Sequence, residues 1–123
     1  MEWTTGKKGM VYKQAAAIPY QFNNGEVEVL LISTRNGNNW IIPKGLLEDD
    51  YTPAELAAKE AYEEAGIIGD VSSKSIGYYE YEKWNGTCEV EVFSMYVSRI
   101  LDAWPEDYFR IRKWFKAKKV SGL

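Results

Sequence analysis

Residues 45–67 read GLLEDDYTPAELAAKEAYEEAGI, and this stretch decides most of what can be said about the fold. It contains a complete helix signature. Thr52 is a favourable N-cap, Pro53 suits a first helical position that needs no amide donor, and Glu55 stands where a capping box requires it. Good helix formers fill the positions that follow, and Gly66 suits the left-handed residue that ends a helix. We therefore predict a helix from Pro53 to the residue before Gly66.

Three glutamates share one flank of this predicted helix. At about 3.6 residues per turn, Glu60 lies beside both Glu63 and Glu64. Like charges at these spacings cost roughly 0.2–0.5 kcal/mol per pair, and negative charge in a last turn opposes the helix dipole. A solvated acidic face is the plain alternative. Mg²⁺, however, prefers carboxylate, water and phosphate oxygens, and its binding would offset the repulsion among the glutamates. The spacing thus favours a divalent cation site.

The composition narrows the chemistry. The chain has no histidine and one cysteine, Cys88, which makes a zinc site and histidine-activated nucleophiles improbable. A lone cysteine excludes an internal disulfide and is normal for a reducing compartment, where we expect Cys88 to be a buried thiol. Carboxylate and metal chemistry is what remains.

Neither a membrane nor a nucleic acid is an expected partner. The apolar runs are far shorter than the roughly 20 residues that a membrane span needs, and the first residues lack a secretory signal, so we expect a cytoplasmic protein. The net charge of −3 argues against a protein that grips nucleic acid through its phosphates. Acidic residues crowd positions 48–64, whereas basic ones gather at 7–13 and 110–119. Two solvated faces would explain this, and so would a metal site flanked by phosphate-binding groups.

Strand signals surround the helix on both sides. Residues 10–18 and 27–33 are predicted to pair across the turn Asn23-Asn24-Gly25, and Asn85-Gly86 predicts a hairpin of residues 74–84 and 87–100. Residues 40–42 and 110–115 are shorter extended candidates. Strands before and after one helix indicate the α+β class or a mixed α/β sandwich, in a single domain spanning 1–123.

Residues 45–67 resemble the Nudix box, the signature of the Nudix (MutT-like) hydrolase family. The matching positions are Gly45, Glu60, Ala61, Glu63, Glu64, Gly66 and Ile67. The resemblance implies that Glu60, Glu63, Glu64 and the Gly45 carbonyl bind the activating metal, which is expected to be Mg²⁺ with Mn²⁺ as a substitute. Glu48, inside the box loop, is a further candidate metal ligand.

Two box positions depart from the family pattern. Tyr51 stands where the pattern has glutamate, and Lys59 stands where it has arginine. Lysine cannot reproduce the planar fork of arginine. We hypothesise that one supporting contact has been replaced as a unit.

Similarity extends to the diphosphoinositol polyphosphate and diadenosine polyphosphate hydrolase branch. The segments that carry it are YKQAA at 12–16, WIIPKG at 40–45 and RKWF at 112–115. The resemblance implies an α/β/α sandwich with a mixed sheet, in which a C-terminal helix closes one face. That helix is expected to be short or absent here, and a bare apolar face would favour a homodimer.

The resulting functional prediction is Mg²⁺-dependent hydrolysis of a diphosphate linkage in a nucleoside or inositol diphosphate derivative. Glu63 or Glu64 is the expected general base, and Lys44, Lys13 and Arg35 are the expected substrate contacts. Two further arginines, Arg110 and Arg112, are weaker candidates for phosphate binding.

Other substrates and another class of protein stay open at this stage. ADP-ribose or a nucleoside triphosphate would use the same chemistry. A non-catalytic nucleotide sensor would account for the two departures from the box, although the intact glutamates oppose it. A hydrolase acting on RNA 5′ ends would need a long basic groove.

Overall fold

One α-helix packs on a mixed sheet of eight strands in the computed structural model, which describes residues 9–119. The helix α1 spans Pro53–Ala65. The strands are β1 (Val11–Asn23), β2 (Glu26–Ser33), β3 (Trp40–Ile41), β4 (Lys44–Leu46), β5 (Ile67–Val71), β6 (Gly77–Lys83), β7 (Gly86–Ile100) and β8 (Arg112–Lys116).

The centre of the sheet is a long parallel pair. β1 and β7 run side by side from Val11↔Thr87 to Tyr20↔Tyr96. The main strand order is β3-β2-β1-β7-β5, while β4 pairs with β1, β6 with β7 and β8 with β2, all antiparallel. The predicted α+β class with a mixed sheet is confirmed.

Alternation along β1 divides the core between the two faces of the sheet. Ala15 and Ala17 point toward α1, whose Ala57, Ala61 and Ala65 are also fully buried, so helix and sheet approach closely. Between them, Ala16 points to the opposite face. There it packs with Val90, Val92, Ile18, Ile42 and Tyr81.

The helix prediction is confirmed at both ends. The Thr52 hydroxyl accepts a hydrogen bond from the Glu55 amide at 3.2 Å, and the Glu55 carboxylate accepts one from the Thr52 amide at 2.9 Å. Gly66 adopts the left-handed conformation with φ of 67°. These contacts join residues at most four apart, which is why sequence alone could find them.

The hairpin of β6 and β7 is confirmed, but its turn is shifted by one residue. Lys83 pairs with Gly86, so the turn residues are Trp84 and Asn85, both with positive φ, and not Asn85-Gly86. Gly86 is instead extended, and a side chain there would collide with the carbonyl oxygen of Met10. The glycine thus serves the close approach of the chain before β1, a long-range requirement that the dipeptide does not reveal.

Other elements agree in part with the sequence analysis. β1 and β2 pair across Asn24-Gly25 as predicted, and β8 lies within two residues of its predicted range, whereas β4 and β5 were not predicted. Cys88 is fully buried, as expected. A 3-10 turn, Ala117–Lys119, follows β8. The predicted absence of a further helix concerns residues 120–123, which lie outside the described residues.

No helix within residues 9–119 has the length and apolar character needed to cross a membrane.

The capping box makes a testable contribution to stability. Thr52→Ala removes the hydroxyl that satisfies the Glu55 amide, and we expect a loss of about 1 kcal/mol in the free energy of unfolding. Thr52→Ser keeps the hydroxyl and is the matched control. Urea unfolding of both variants checks this; equal losses in the two would contradict the capping role.

Candidate active site

Of the three glutamates near the C-terminal end of α1, two point inward, beneath β4. Glu60 and Glu64 are each only 8% exposed, whereas Glu63 lies on the outer side of the helix. The backbone amide of Lys44 donates a hydrogen bond to Glu64 Oε1 at 3.2 Å. A side chain at Gly45 would collide with the Glu60 carboxylate. The box glycine therefore lets the backbone of β4 lie directly against the two buried carboxylates.

The position of β4 is set by the central strand. Ala15 pairs with Gly45 and Ala16 with Lys44, and the Ala17 amide donates to the Pro43 carbonyl at 3.0 Å. Because β1 also packs on α1, the same strand places both the helix and the segment that covers its glutamates.

The buried pair carries an unfavourable concentration of negative charge. Burial, and then the hydrogen bond and repulsion from Glu60, raise the pKa of Glu64 to about 9. Burial likewise raises the pKa of Glu60. The Lys44 amide and the charge of Arg110 act in the opposite direction on Glu64. Without a cation, the pair therefore retains a proton at neutral pH.

These residues fit a divalent cation. A metal ion would replace the retained proton, and carboxylate and carbonyl oxygens are the donors that Mg²⁺ prefers. Within residues 9–119 no three acidic, cysteine or histidine side chains form a ready metal cage. Backbone, water or substrate oxygens would therefore complete the coordination around Glu60 and Glu64.

A lysine occupies the outer side of the acidic cluster. The Lys59 ammonium lies 3.1 Å from Glu63 Oε2, 3.3 Å from Glu48 Oε2 and 3.6 Å from Glu60 Oε2. These carboxylates, led by Glu63, raise the pKa of Lys59. In this arrangement a side chain of the protein itself offsets part of the negative charge of Glu63 and Glu48.

The two departures from the box contact one another. The Lys59 ammonium lies 5.6 Å from the centre of the Tyr51 ring, within the range of a cation–π interaction. This contact supports the hypothesis that one supporting ion pair or hydrogen bond of the family pattern has been replaced as a unit.

Glu64 lines a cleft in which positive charge predominates. The cleft has a volume of about 340 Å³ and is lined by Gln14, Thr34, Arg35, Ile41, Lys44, Glu64, Tyr81, Lys83 and Arg110. Burial lowers the pKa of Lys44, and the charge of Glu64 opposes that effect. The guanidinium groups of Arg35 and Arg110 lie 4.1 and 4.8 Å from the centre of the Phe109 ring, which fixes both near the rim.

An apolar cavity adjoins the charged cleft. It has a volume of about 320 Å³ and is lined by Ile18, Trp40, Ile41, Ile42, Lys44, Tyr79 and Val92. Ile41 and Lys44 line both spaces. Trp40 and Tyr79 each keep more than a third of their surface exposed, beside the half-buried Lys44.

The structure brings together only some of the predicted site residues. Lys44, Arg35 and Glu64 line one cleft, with Glu60 next to Glu64. Lys13 does not line it, and its ammonium lies 2.8 Å from Glu89 Oε1. The reason is strand alternation, because Lys13 lies on the helix side of β1.

Sequence reasoning missed polar residues of the cleft and misjudged Arg112, which lies outside the cleft. Gln14 and Lys83 were not singled out, although a polar Gln14 beside the apolar run of β1 was a signal of a buried polar contact. Gln14 accepts a hydrogen bond from the Tyr81 hydroxyl at 2.8 Å. Arg112 was a weak candidate for phosphate binding, yet its guanidinium is taken up by backbone carbonyls at the end of α1.

Comparisons with known proteins show the family and agree with this fold. The family model described as the NUDIX domain matches residues 11–120. Nudix hydrolase 16, mitochondrial, of Arabidopsis thaliana is 34% identical over 86% of this chain and 68% of its own length. Diphosphoinositol polyphosphate phosphohydrolase 2 of Rattus norvegicus is 32% identical over 86% of this chain and 59% of its own length.

A solved structure shows the same fold. The Ap4A hydrolase of C. elegans superposes with a TM-score of 0.71 at 22% identity, covering 89% of this chain and 83% of that one.

A mixed sheet, a capped helix and box glutamates buried beneath the short strand that contains Gly45 define a Nudix-type catalytic domain. The chain belongs to the Nudix hydrolase family. It spans roughly half to two thirds of the length of most of the curated relatives that it matches.

The raised pKa of Glu64 makes stability depend on pH. The folded protein binds more protons than the unfolded chain between the ordinary value of 4.5 and about 9. The free energy of unfolding of the metal-free protein is therefore expected to fall as pH rises through that window. Glu64→Gln should flatten the fall, and Mg²⁺ should offset it in the wild type. Thermal unfolding in EDTA from pH 5 to 9 checks this; parallel profiles for both proteins would contradict it.

Lys59 should compete with a divalent cation for the outer carboxylates. We expect Lys59→Met to lower the melting temperature in EDTA and to enlarge the rise in melting temperature that Mg²⁺ produces. Tyr51→Leu and the double variant complete a cycle, in which the contact predicts non-additive effects. A Mg²⁺ response equal to that of the wild type would rule out competition, and strictly additive effects would rule out coupling.

Proposed function

We propose that this protein is a Mg²⁺-dependent hydrolase that cleaves a diphosphate linkage in a nucleoside diphosphate derivative, with dinucleoside polyphosphates as the preferred class. One observation carries the proposal. Lys44, Arg35, Lys83 and Arg110 line the same cleft as the buried carboxylate of Glu64. Such a cleft suits a chain of phosphates that must be neutralised and held beside a metal site.

The metal would be held by Glu60 and Glu64, with the Gly45 carbonyl and, on the outer side, Glu63 and Glu48 as further proposed ligands. When bound, Mg²⁺ supplies charge neutralisation to phosphate oxygens and lowers the pKa of a bound water. Glu63 and Glu48 can join only by exchanging their ion pairs with Lys59.

The side chains of the cleft perform the remaining tasks. Lys44 and Arg35 bind phosphate oxygens, and Arg110 adds charge next to Glu64. Of the two proposed bases, Glu64 lines the cleft, which supports its proposed role of accepting the proton of an attacking water. Glu63 faces Lys59 outside it, so we assign Glu63 to cation binding. Lys13 is the weakest of the proposed substrate contacts, because its ammonium forms an ion pair with Glu89.

The apolar cavity favours a nucleotide over an inositol phosphate. A nucleobase could lie against Trp40 and Tyr79 while its phosphates extend past Lys44, which lines both spaces. An inositol ring bears phosphates all round and gains nothing from such a surface. Diphosphoinositol polyphosphates stay the second candidate, on the strength of the similarity to diphosphoinositol polyphosphate phosphohydrolase 2.

Other features stay predictions. ADP-ribose and nucleoside triphosphates would undergo the same chemistry, although they have fewer phosphates than a dinucleoside polyphosphate or only one base. The cytoplasmic location, the single domain spanning 1–123 and a homodimer are untested, and one matched relative is named as mitochondrial. An RNA or other nucleic-acid substrate is disfavoured because the cleft cations gather in one space of about 340 Å³.

The deciding experiment measures hydrolysis of dinucleoside polyphosphates, diphosphoinositol polyphosphates, ADP-ribose and nucleoside triphosphates with Mg²⁺, with Mn²⁺ and with EDTA. We expect Mg²⁺-dependent turnover of dinucleoside polyphosphates, sustained by Mn²⁺ and reduced at least about 100-fold by Glu64→Gln through loss of the base and a metal ligand.

Variants of the cleft sharpen the result. Trp40→Ala should raise KM for nucleotides but not for diphosphoinositol polyphosphates, and Lys44→Met should raise KM for both. Lys113→Met is the matched control, since it removes an exposed lysine outside the cleft. Nucleotide binding without turnover of any substrate would favour the sensor alternative.

A further inference from the structure

We propose that Trp104 and Arg112 are positioning residues that hold the last turn of α1, and with it Glu63 and Glu64, in register with the cleft. The inference rests on the proposed function, because it assigns these two residues to the geometry of the proposed metal site. Neither side chain lines the cleft, and neither belongs to the box.

The end of α1 presents carbonyl groups with no partner inside the helix. The Gly66 amide closes the last internal bond, to the Tyr62 carbonyl at 3.0 Å, which leaves the carbonyls of residues 63–66 to be satisfied from elsewhere. A helix end without such partners frays, and here the fraying turn would carry two of the acidic site residues.

All four of these carbonyls find donors in residues 101–112. The Glu106 amide donates to the Glu63 carbonyl at 3.1 Å, and the Trp104 indole donates to the Glu64 carbonyl at 3.0 Å. One guanidinium nitrogen of Arg112 donates to the carbonyl of Ala65 at 2.8 Å and to that of Gly66 at 3.3 Å. The Leu101 amide completes the set at Gly66.

Arg112 supplies the positive charge that the helix itself lacks. The last turn of α1 contains no basic residue, although its dipole and its glutamates both call for one. Arg112 lies over the Trp104 ring, 3.9 Å from its centre, and its second nitrogen donates to the Leu101 carbonyl at 2.6 Å. The guanidinium thus ties the ends of α1 and β7 to the start of β8.

The absence of a side chain at Gly66 leaves room for Trp104 and Arg112. Any side chain there would come within 2.7 Å of both the Arg112 guanidinium and the Trp104 ring. The second box glycine therefore serves two purposes, the left-handed turn and the seating of two side chains against the helix end.

The same segment reaches the rim of the cleft. Arg110 donates to the Ser33 carbonyl at 2.8 Å and to the Glu106 carboxylate at 3.0 Å. The Glu106 amide in turn donates to the Glu63 carbonyl. Residues 101–112 consequently fix the distance between the acidic turn of the helix and the cationic wall, which is the distance that a bound diphosphate must match.

The test separates positioning from stability. Trp104→Phe removes the indole donor but keeps a ring beneath Arg112; Arg112→Met removes all three hydrogen bonds, and Arg112→Lys keeps only the charge. Lys113→Met, at an exposed neighbour on the same strand, is the matched control. The readouts are Mn²⁺ affinity by titration calorimetry, melting temperature, kcat and KM, and hydrogen exchange of the amides of residues 62–66 without metal.

We expect Mn²⁺ affinity to fall roughly 10-fold in Trp104→Phe and more in Arg112→Met, with Arg112→Lys between them, as for residues that orient metal ligands. Most of the loss should appear in kcat, and exchange of the last-turn amides should quicken while that of the first turn does not. Lys113→Met should match the wild type.

Lower melting temperatures with unchanged Mn²⁺ affinity and unchanged last-turn exchange in the folded variants would overturn the inference. Should Arg112→Met fail to fold, Trp104→Phe decides alone. A wild-type protein that binds Mn²⁺ but hydrolyses no substrate would contradict the proposed function only. Mn²⁺ affinity and hydrogen exchange of the last-turn amides would still report on positioning.

Discussion

The packing of the β4 backbone against two buried carboxylates is the constraint on which the rest of this structure depends. Glu60 and Glu64 lie close together under Gly45 and the Lys44 amide, in a place where water cannot screen them. Such a pair opposes folding unless a proton or a cation neutralises it. The alanine-rich contact of α1 with β1 and the ladder between β1 and β4 hold the pair there nonetheless.

Charge in the acidic cluster is divided between an inner and an outer set. The inner carboxylates, Glu60 and Glu64, lie against backbone groups and against one another. Glu63 and Glu48 share the ammonium of Lys59, which also lies 3.6 Å from Glu60 Oε2. Tyr51 stands where the family pattern has glutamate, and the centre of its ring lies 5.6 Å from the Lys59 ammonium. The same ammonium contacts the carboxylates of the cluster. The two departures therefore change the electrostatics on the outer side of the acidic cluster, while Glu60 and Glu64 stay buried.

The charged cleft and the apolar cavity meet at Lys44. One is cationic and adjoins Glu64, and the other is apolar with aromatic walls. A single strand builds this boundary, because the short β4 exposes Lys44 between them while its neighbour Gly45 contacts the helix. The segment before β8 completes the arrangement by closing the carbonyl end of α1 and delivering Arg110 to the cleft.

The sequence by itself determined the helix, its two ends and the family signature, because capping contacts span three or four residues and the box positions fall within the continuous stretch 45–67. It also determined the hairpins around Asn24-Gly25 and near Asn85, whose turn residues are local signals. Only the tertiary structure decided that Gln14 and not Lys13 reaches the cleft, since that choice depends on which face of β1 packs on α1. It alone decided that Arg112 holds carbonyls rather than phosphate, and that Lys83 and Arg110 join Lys44. These outcomes follow from strand register and from contacts between residues far apart in the chain, which no local pattern encodes.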